Sequence, residues 1–276
     1  MKFLALIGQT FRELKSKATL AVLVGISTII ILVVLIGLSV TETASGSMLM
    51  LFGNPVSPEL PFDKMVFLVT EVQSGLANGL YAGLVLFGVF ATAGLIPEML
   101  EKGTIDLFLS KPIARWALLS GKYAGAAVVV LGNVLYFIGS LWLIFGAKTG
   151  VWNLNFLLSA LTVTFVFACL YAIVVVLGVV SRNTALSIIG AFLYLFVISS
   201  LLYHREQSLY LISANGLYRG AVDGLYYVLP QLSAMQDNIA RQITNGTIDW
   251  RPFLQSTLSS AVIFAGGAAL FSRKDF

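Results

Sequence analysis

Charge is scarce in this chain: of 276 residues, 11% are Asp, Glu, Lys or Arg and 58% are hydrophobic, where an ordinary soluble domain carries about 25% charged residues. That excludes a soluble globular protein. The single cysteine, Cys169, rules out an intrachain disulfide. The single histidine, His204, leaves no cluster to bind zinc or to build a nucleophile–base pair, and it reads as an interfacial polar residue at a span end. No Gly-x-x-x-x-Gly-Lys-Ser/Thr occurs, because Gly121-Lys122 is followed by Tyr123 and has Trp116 where the first glycine belongs. The chain cannot cradle ATP phosphates by that route. No stretch between apolar runs exceeds about 50 residues, too short for a separate catalytic domain, so any energy source lies on another chain.

What is present is a series of apolar runs at 18–40, 76–97, 123–147, 154–181, 184–203 and 253–272. Each is about 20 to 28 residues, or roughly 30–42 Å of helix, enough to cross a bilayer. These predict an all-α polytopic membrane protein, a single transmembrane domain over 1–276 with both termini on one side. No Asp, Glu, Lys, Arg or His falls well inside any of these runs, which counts against an ion-coupled carrier. Lys2, Arg12, Lys15, Lys17, Lys102, Lys111, Arg115, Lys122, Arg182, Arg273 and Lys274 fall on one side. Lys64, Lys148, Arg205, Arg219, Arg241 and Arg251 fall on the other, over two longer connections. The positive-inside bias therefore makes both termini cytoplasmic.

Ahead of the first span, Phe3, Leu4, Ile7, Phe11 and Leu14 recur at helical spacing, with Lys2, Arg12, Glu13, Lys15 and Lys17 mostly opposite. That predicts an interface helix over 1–17. A cleaved signal peptide is the competing reading, but its apolar core would be about 7–15 residues and the run here is much longer. Externally, 41–75 carries Pro55, Pro58 and Pro61 with Glu42, Glu59 and Asp63, and its middle reads as irregular and solvated. The mixed segment 204–252 reads as short interfacial or re-entrant helices, with an ordinary folded loop as the alternative.

The loop 98–122 has the most specific pattern. Gly103 ends the helix continuing the second span, Thr104 can cap a short new helix with Leu107, Phe108 and Leu109 on its apolar side, and Pro112 stops it. Arg115 to Lys122 then restart a helix into the third span. The result is a short helix across the mouth of the bundle, offering an acidic, basic and apolar surface to a soluble partner.

This loop resembles the signature of type-2 ATP-binding-cassette (ABC) exporter permeases: Glu-x-Gly-Thr, an apolar triplet, Ser-x-Pro, a nearby Arg, and Gly-Lys. Those positions are Glu101, Gly103, Thr104, Leu107, Leu109, Ser110, Pro112, Arg115, Gly121 and Lys122. The starting helix, the Leu225-Tyr-Tyr-Val-Leu-Pro230 approach and the closing Phe271-Ser-Arg-Lys-Asp-Phe276 are also similar to the family's layout. Members often carry two adjacent acidic residues; here Glu98 stands three before Glu101. The resemblance implies six spans per protomer, a dimer formed with a second copy or a paralogue, and two P-loop ABC ATPase subunits beneath it. ATP and Mg would sit on those subunits, with no cofactor on this chain. Glu98, Glu101, Gly103, Thr104, Asp106, Leu107, Leu109, Ser110, Pro112, Arg115 and Lys122 would form the coupling helix, contacted from the side by Arg12, Lys15 and Lys17. A plasma (inner) membrane location follows from the family. For the lysines, the alternative is that they are only positive-inside anchors.

Gly75, Gly79 and Gly83 recur every four residues on one face of the second span, where a neighbouring helix could approach closely, either as a moving contact or as static packing. Asn78, Asn133, Ser140, Thr162, Thr164, Ser187, Ser199 and Ser200 could line a weakly polar path or bond across helices. Asn245-Gly-Thr247 matches a glycosylation acceptor, a pattern common by chance, and is assigned no role. The expected function is a permease subunit for outward movement of an amphipathic, lipid-like or peptide cargo. The rivals are a membrane subunit that relays ATPase motion to an external or envelope partner, and a scaffold independent of any ATPase.

Overall fold

A run such as Leu20-Ala-Val-Leu-Val-Gly-Ile offers lipid no polar side chain, and its backbone groups can be satisfied in hydrocarbon only within a helix or closed barrel. The structure, a computed structural model, describes residues 2–16, 18–43, 46–55, 65–105 and 114–274. It is an all-α polytopic membrane protein, with six helices among the described residues long and apolar enough to cross a bilayer. Helix α1 (Lys2–Ser16) leads into α2 (Thr19–Gly37). Next come α3 (Met65–Thr92), prolonged after a break by α4 (Leu95–Met99), then α5 (Arg115–Thr149), α6 (Leu154–Ser181) and α7 (Thr184–Tyr203). Two shorter helices, α8 (Gly216–Val228) and α9 (Leu232–Asn245), precede α10 (Arg251–Arg273).

Helix α6 is the axis of the bundle, with α3, α5, α7, α9 and α10 packed around it. Its Phe167, Leu170, Tyr171 and Val175 are fully enclosed. The two-residue turn into α7 works because each polar residue has a task. Arg182 adopts a left-handed conformation (φ 52°) that ends α6, and the Asn183 carboxamide accepts from the Ala185 and Leu186 amides to start α7. Asn153 caps α6 in the same way. Within α7, one wide π turn at Tyr194–Ile198 coincides with the Tyr194 hydroxyl donating to the Pro230 carbonyl at 2.7 Å.

Two regions depart from expectation, and a third holds the short helices expected of it. The first span ends at Gly37, and strands β1 (Leu38–Thr43), β2 (Gly46–Leu51) and β3 (Asn54–Pro55) form an antiparallel sheet in the order β1-β2-β3. Leu38 pairs with Leu51 and Val40 with Leu49, so the apolar residues expected to finish a span instead alternate along a hairpin whose Leu38 and Leu49 are buried. Second, α3 starts at Met65 rather than Leu76, because its Val69 and Gln73 pack inward and continue the buried stripe of Tyr81, Val85 and Val89. Third, the segment 204–252 divides its labour. Helix α8 lies outside, fastened where Asp223 accepts from Tyr210 and Arg205 (both 2.7 Å). Those bonds, Tyr210's first and then Arg205's, hold its carboxyl below the usual carboxylate range. Helix α9 enters the bundle, with Leu232, Met235 and Ile239 fully buried against α3 and α6, and Tyr81 donates to the Leu232 carbonyl at 3.2 Å.

Helix α1 docks along α5 by a different face from the one expected. Leu6, Thr10 and Leu14 are buried, while Phe11 is exposed for lipid and Arg12 and Lys15 point outward. The reason lies across the contact, at Gly121 and Gly125. A Cβ at Gly121 would come within 2.7 Å of the Leu6 side chain, and one at Gly125 within 2.7 Å of Thr10. Two glycines one turn apart thus form a shallow trough that accepts Leu6 and Thr10. Gly125→Ala should therefore destabilise the protein by about 1–3 kcal/mol, as overpacking does. Gly132→Ala, where nothing lies within 4 Å, should be neutral; denaturant titration of both variants in micelles compares them.

Candidate coupling face

One end of the bundle gathers α1, α4, the start of α5 and the ends of α6 and α10. The chain leaves α4 with Leu100 donating to the Pro97 carbonyl (3.0 Å) and Glu101 to that of Glu98 (3.3 Å). Gly103 then takes a φ of +84°, a conformation L side chains rarely adopt and glycine adopts freely. The Thr104 and Ile105 amides both return to the Glu101 carbonyl at 3.1 Å. Glu101, Lys102 and Gly103 are exposed on this corner, and Ile105 beneath it is buried. Glu98 is set back: it is half-buried and folded along the helix, so that a Cβ at Gly94 would lie 2.8 Å from its Oε1. The two acidic residues read together in the sequence therefore occupy different environments. Asp106, Leu107, Leu109, Ser110, Pro112 and Lys17 lie outside the described residues.

Lys122 is not on the outer surface. Its side chain is 2% exposed and forms an ion pair with Glu13 of α1, so the last residue of the sequence signature fastens α1 to α5 instead of presenting a charge to a partner. Glu13, expected among the polar outer residues, faces inward for that reason. A four-carbon stem lets Lys122 bury its methylenes against the helices while its ammonium reaches the carboxylate.

Arg115 makes a second tie. Its guanidinium donates to the Ser272 carbonyl (3.1 Å) and the Lys274 carbonyl (2.7 Å), satisfying acceptors at the C-terminal end of α10 that the helix leaves open. Lys274 makes a third, donating to the Val179 carbonyl at the end of α6 (2.6 Å). Burial, with Arg182 nearby, pushes the Lys274 ammonium below its ordinary pKa. In the sequence Lys274 counted only as a topological charge; nothing in the linear pattern paired it with α6. A signal for Glu13–Lys122 did exist, in the matching four-residue steps Leu6–Thr10 and Gly121–Gly125.

Among the described residues, no other helix packs on the glycine stripe of α3. Gly75 and Gly79 are exposed with nothing within 4 Å of an added Cβ, and Gly83 meets only Phe87 of its own helix. The buried face of α3 is the opposite one, through Val69, Gln73, Tyr81, Val85 and Val89, so among the described residues the stripe makes no static packing contact. The intramembrane polar groups are largely taken up by bonds between and within helices: Asn133 to Ser27 at 3.1 Å, Thr162 to Gln242 at 2.8 Å, Thr164 to the Ala160 carbonyl at 2.8 Å.

Fold and face together define an integral membrane protein with a built, charged corner at one end of a six-span bundle. A family model described as ABC-2 family transporter protein matches residues 13–276. The chain belongs to that family, and is thus a permease subunit of an ABC transporter, a class that works with ABC ATPase subunits. No curated protein matches the chain.

Lys122→Met takes the ammonium away from a largely buried carboxylate and should cost about 3 kcal/mol. The double variant Glu13→Leu/Lys122→Met removes both charges and should recover most of that loss. A double-mutant cycle of denaturation midpoints in detergent reads the difference.

Proposed function

We propose that this chain is the membrane subunit of an ATP-driven exporter, and that a separate ATPase docks on the corner formed by Glu101, Lys102, Gly103 and Thr104. The observation that carries the reading is mechanical. The exposed corner ends α4, which packs against α5 and α6, and those helices are tied at Glu13–Lys122, at Arg115 to the end of α10, and at Lys274 to the end of α6. A push on the corner is passed to α1, α5, α6 and α10 together, as a lever requires. Arg12, Lys15, Lys102, Arg115, Lys122, Arg182, Arg273 and Lys274 concentrate positive charge at this end, which makes it cytoplasmic. The exposed Gly75 and Gly79 offer the second permease copy or paralogue a surface for close helix contact. With its intramembrane polar groups bonded to one another, the bundle suits an amphipathic, lipid-like or peptide cargo better than a small ion, which needs fixed charges or ordered carbonyls.

Purification of the tagged chain from native membranes in mild detergent should bring down a P-loop ATPase in near-stoichiometric amount. Recovery without one, even after crosslinking with ATP trapped, would remove the exporter reading. Glu101→Ala should weaken ATPase recovery by about tenfold, the worth of one charge-assisted hydrogen bond, with membrane insertion unchanged. Gly103→Val forces a β-branched residue into the left-handed region and should lower cargo-stimulated ATP hydrolysis. In reconstituted vesicles, ATP hydrolysis with no cargo flux but with loss of activity on substitution in 204–252 would turn the reading to mechanical relay.

A further inference from the structure

Three bonds to α7 fix the level of the turn between α8 and α9. The Tyr194 hydroxyl donates to the Pro230 carbonyl at 2.7 Å, Ser199 bonds to Ser233 at 2.9 Å, and the Tyr203 hydroxyl donates to the Asp237 carboxylate. Residue numbers rise together along this ladder, so α9 runs parallel to α7, away from the coupling corner. Tyr203 ends α7, and Tyr194 stands nine residues before it and ten after Thr184, about 14–15 Å of helix from either end. Helix α3 gives the same level: Tyr81, which donates to the Leu232 carbonyl at 3.2 Å, is 16 residues from Met65 and 18 from Met99, the ends of that span. The turn at Leu229–Gln231 therefore sits halfway through the bundle.

Helix α8 connects this depth with the far boundary of the membrane. Its Asp223 is held by Arg205, two residues past the end of α7, and its last residue, Val228, lies two before Pro230. The end of α8 is finished as a helix end in hydrocarbon must be, by protein groups. The Gln255 side-chain amide donates to the Tyr226 and Tyr227 carbonyls (3.1 and 2.7 Å), and Ser256 accepts from the Gln231 backbone amide at 2.9 Å. The faces of α8 are inverted relative to a helix whose outer side meets water. Arg219, Asp223 and Tyr226 turn toward the chain, with Arg219 donating to the Ser213 carbonyl at 3.3 Å and the Arg205 guanidinium 3.8 Å above the Tyr226 ring. Leu217, Ala221, Leu225 and Val228, on the other side, are exposed and carry no polar side-chain atom.

We propose that the acyl chains of the leaflet farther from the coupling corner cover this face, so that α8 and α9 form a hairpin of half-membrane depth with its turn at the bilayer centre. The depth of Pro230 and Leu232 decides the occupant: a face that leads down to that level meets hydrocarbon, not solvent. Arg205 and Asp223 stay at the boundary, the level at which charge is tolerated, and the slope of α8 takes Val228 deepest. Helix α8 is thereby a membrane element that crosses one leaflet only. This arrangement requires that the six spans cross a bilayer, and does not depend on the ATPase reading.

Single cysteines in a Cys169→Ala background, labelled with a nitroxide and reconstituted in phosphatidylcholine–phosphatidylglycerol vesicles, test this by electron paramagnetic resonance. Collisions with oxygen, which concentrates in hydrocarbon, are compared with collisions with a water-soluble nickel chelate. The oxygen-to-nickel ratio should rise at each step through Leu217→Cys, Ala221→Cys, Leu225→Cys and Val228→Cys. Val228→Cys should match Val262→Cys, on the exposed face midway along α10, and Asn245→Cys, exposed at the end of α9, should favour nickel. Nickel favoured at 225 and 228 would overturn the proposal, since solvent would then cover the face. An even ratio from 217 to 228 would also overturn it, because α8 would lie flat along the boundary. So would loss of both kinds of collision with dipolar broadening between labels, the mark of a second copy seated on α8. The expected profile in a chain that recovers no ATPase would leave this proposal standing and remove only the exporter reading.

Discussion

A helix leaves its last carbonyls without partners, and at the membrane boundary a basic side chain from a neighbouring helix can take them in place of water. Three basic side chains answer that constraint here. Lys148 donates to the Leu35 and Leu38 carbonyls at the end of α2, Arg115 to those of Ser272 and Lys274 after α10, and Lys274 to that of Val179 in α6. Each places a positive charge where the helix dipole is negative. Each is also a contact between elements remote in sequence. Closing the ends of the helices therefore closes the bundle, and the same charges that report topology are its fasteners. The Tyr171 hydroxyl does the same without charge, donating to the Thr92 carbonyl at 2.9 Å where α3 breaks.

The exposed corner at Glu101–Thr104 is backed by this arrangement. An exposed loop held only by its own turn would absorb a push by bending. Here the supporting helix α4 packs on α5 and α6; Arg115 at the start of α5 is tied to the end of α10, and α5 is gripped by α1 through the Gly121–Gly125 trough and the Glu13–Lys122 pair. The ion pair adds direction as much as stability. A buried lysine accepts few positions for its carboxylate, so α1 is fixed in register along α5.

The opposite side combines the Lys148 tie and the Arg205–Asp223 pair with neutral joints: Asn153 to Gln73 at 2.9 Å, Asn238 to the Asp249 amide at 2.8 Å, Ser233 to Ser199 at 2.9 Å. They allow α9, a helix with polar residues on its inner face, to be buried among apolar spans. A seam of neutral hydrogen bonds costs less to desolvate than charges do.

The amino-acid sequence by itself determined the membrane class, the number of spans, the turn at Arg182–Asn183 and the glycine corner, because each follows from local rules. Apolar length dictates a helix in lipid, asparagine caps a helix start, and glycine supplies a positive φ. The short hairpin after Gly37 was hidden in apolar residues that fit a span equally well, since alternation over six residues is a weak signal beside a long apolar run. Tertiary structure alone decided that Lys122 turns inward, that Glu98 and Glu101 part company, that the glycine stripe of α3 faces outward, and that α9 enters the bundle. Those outcomes depend on which surfaces meet, and a trough, an open carbonyl or a buried amide exists only once two distant segments have been brought together.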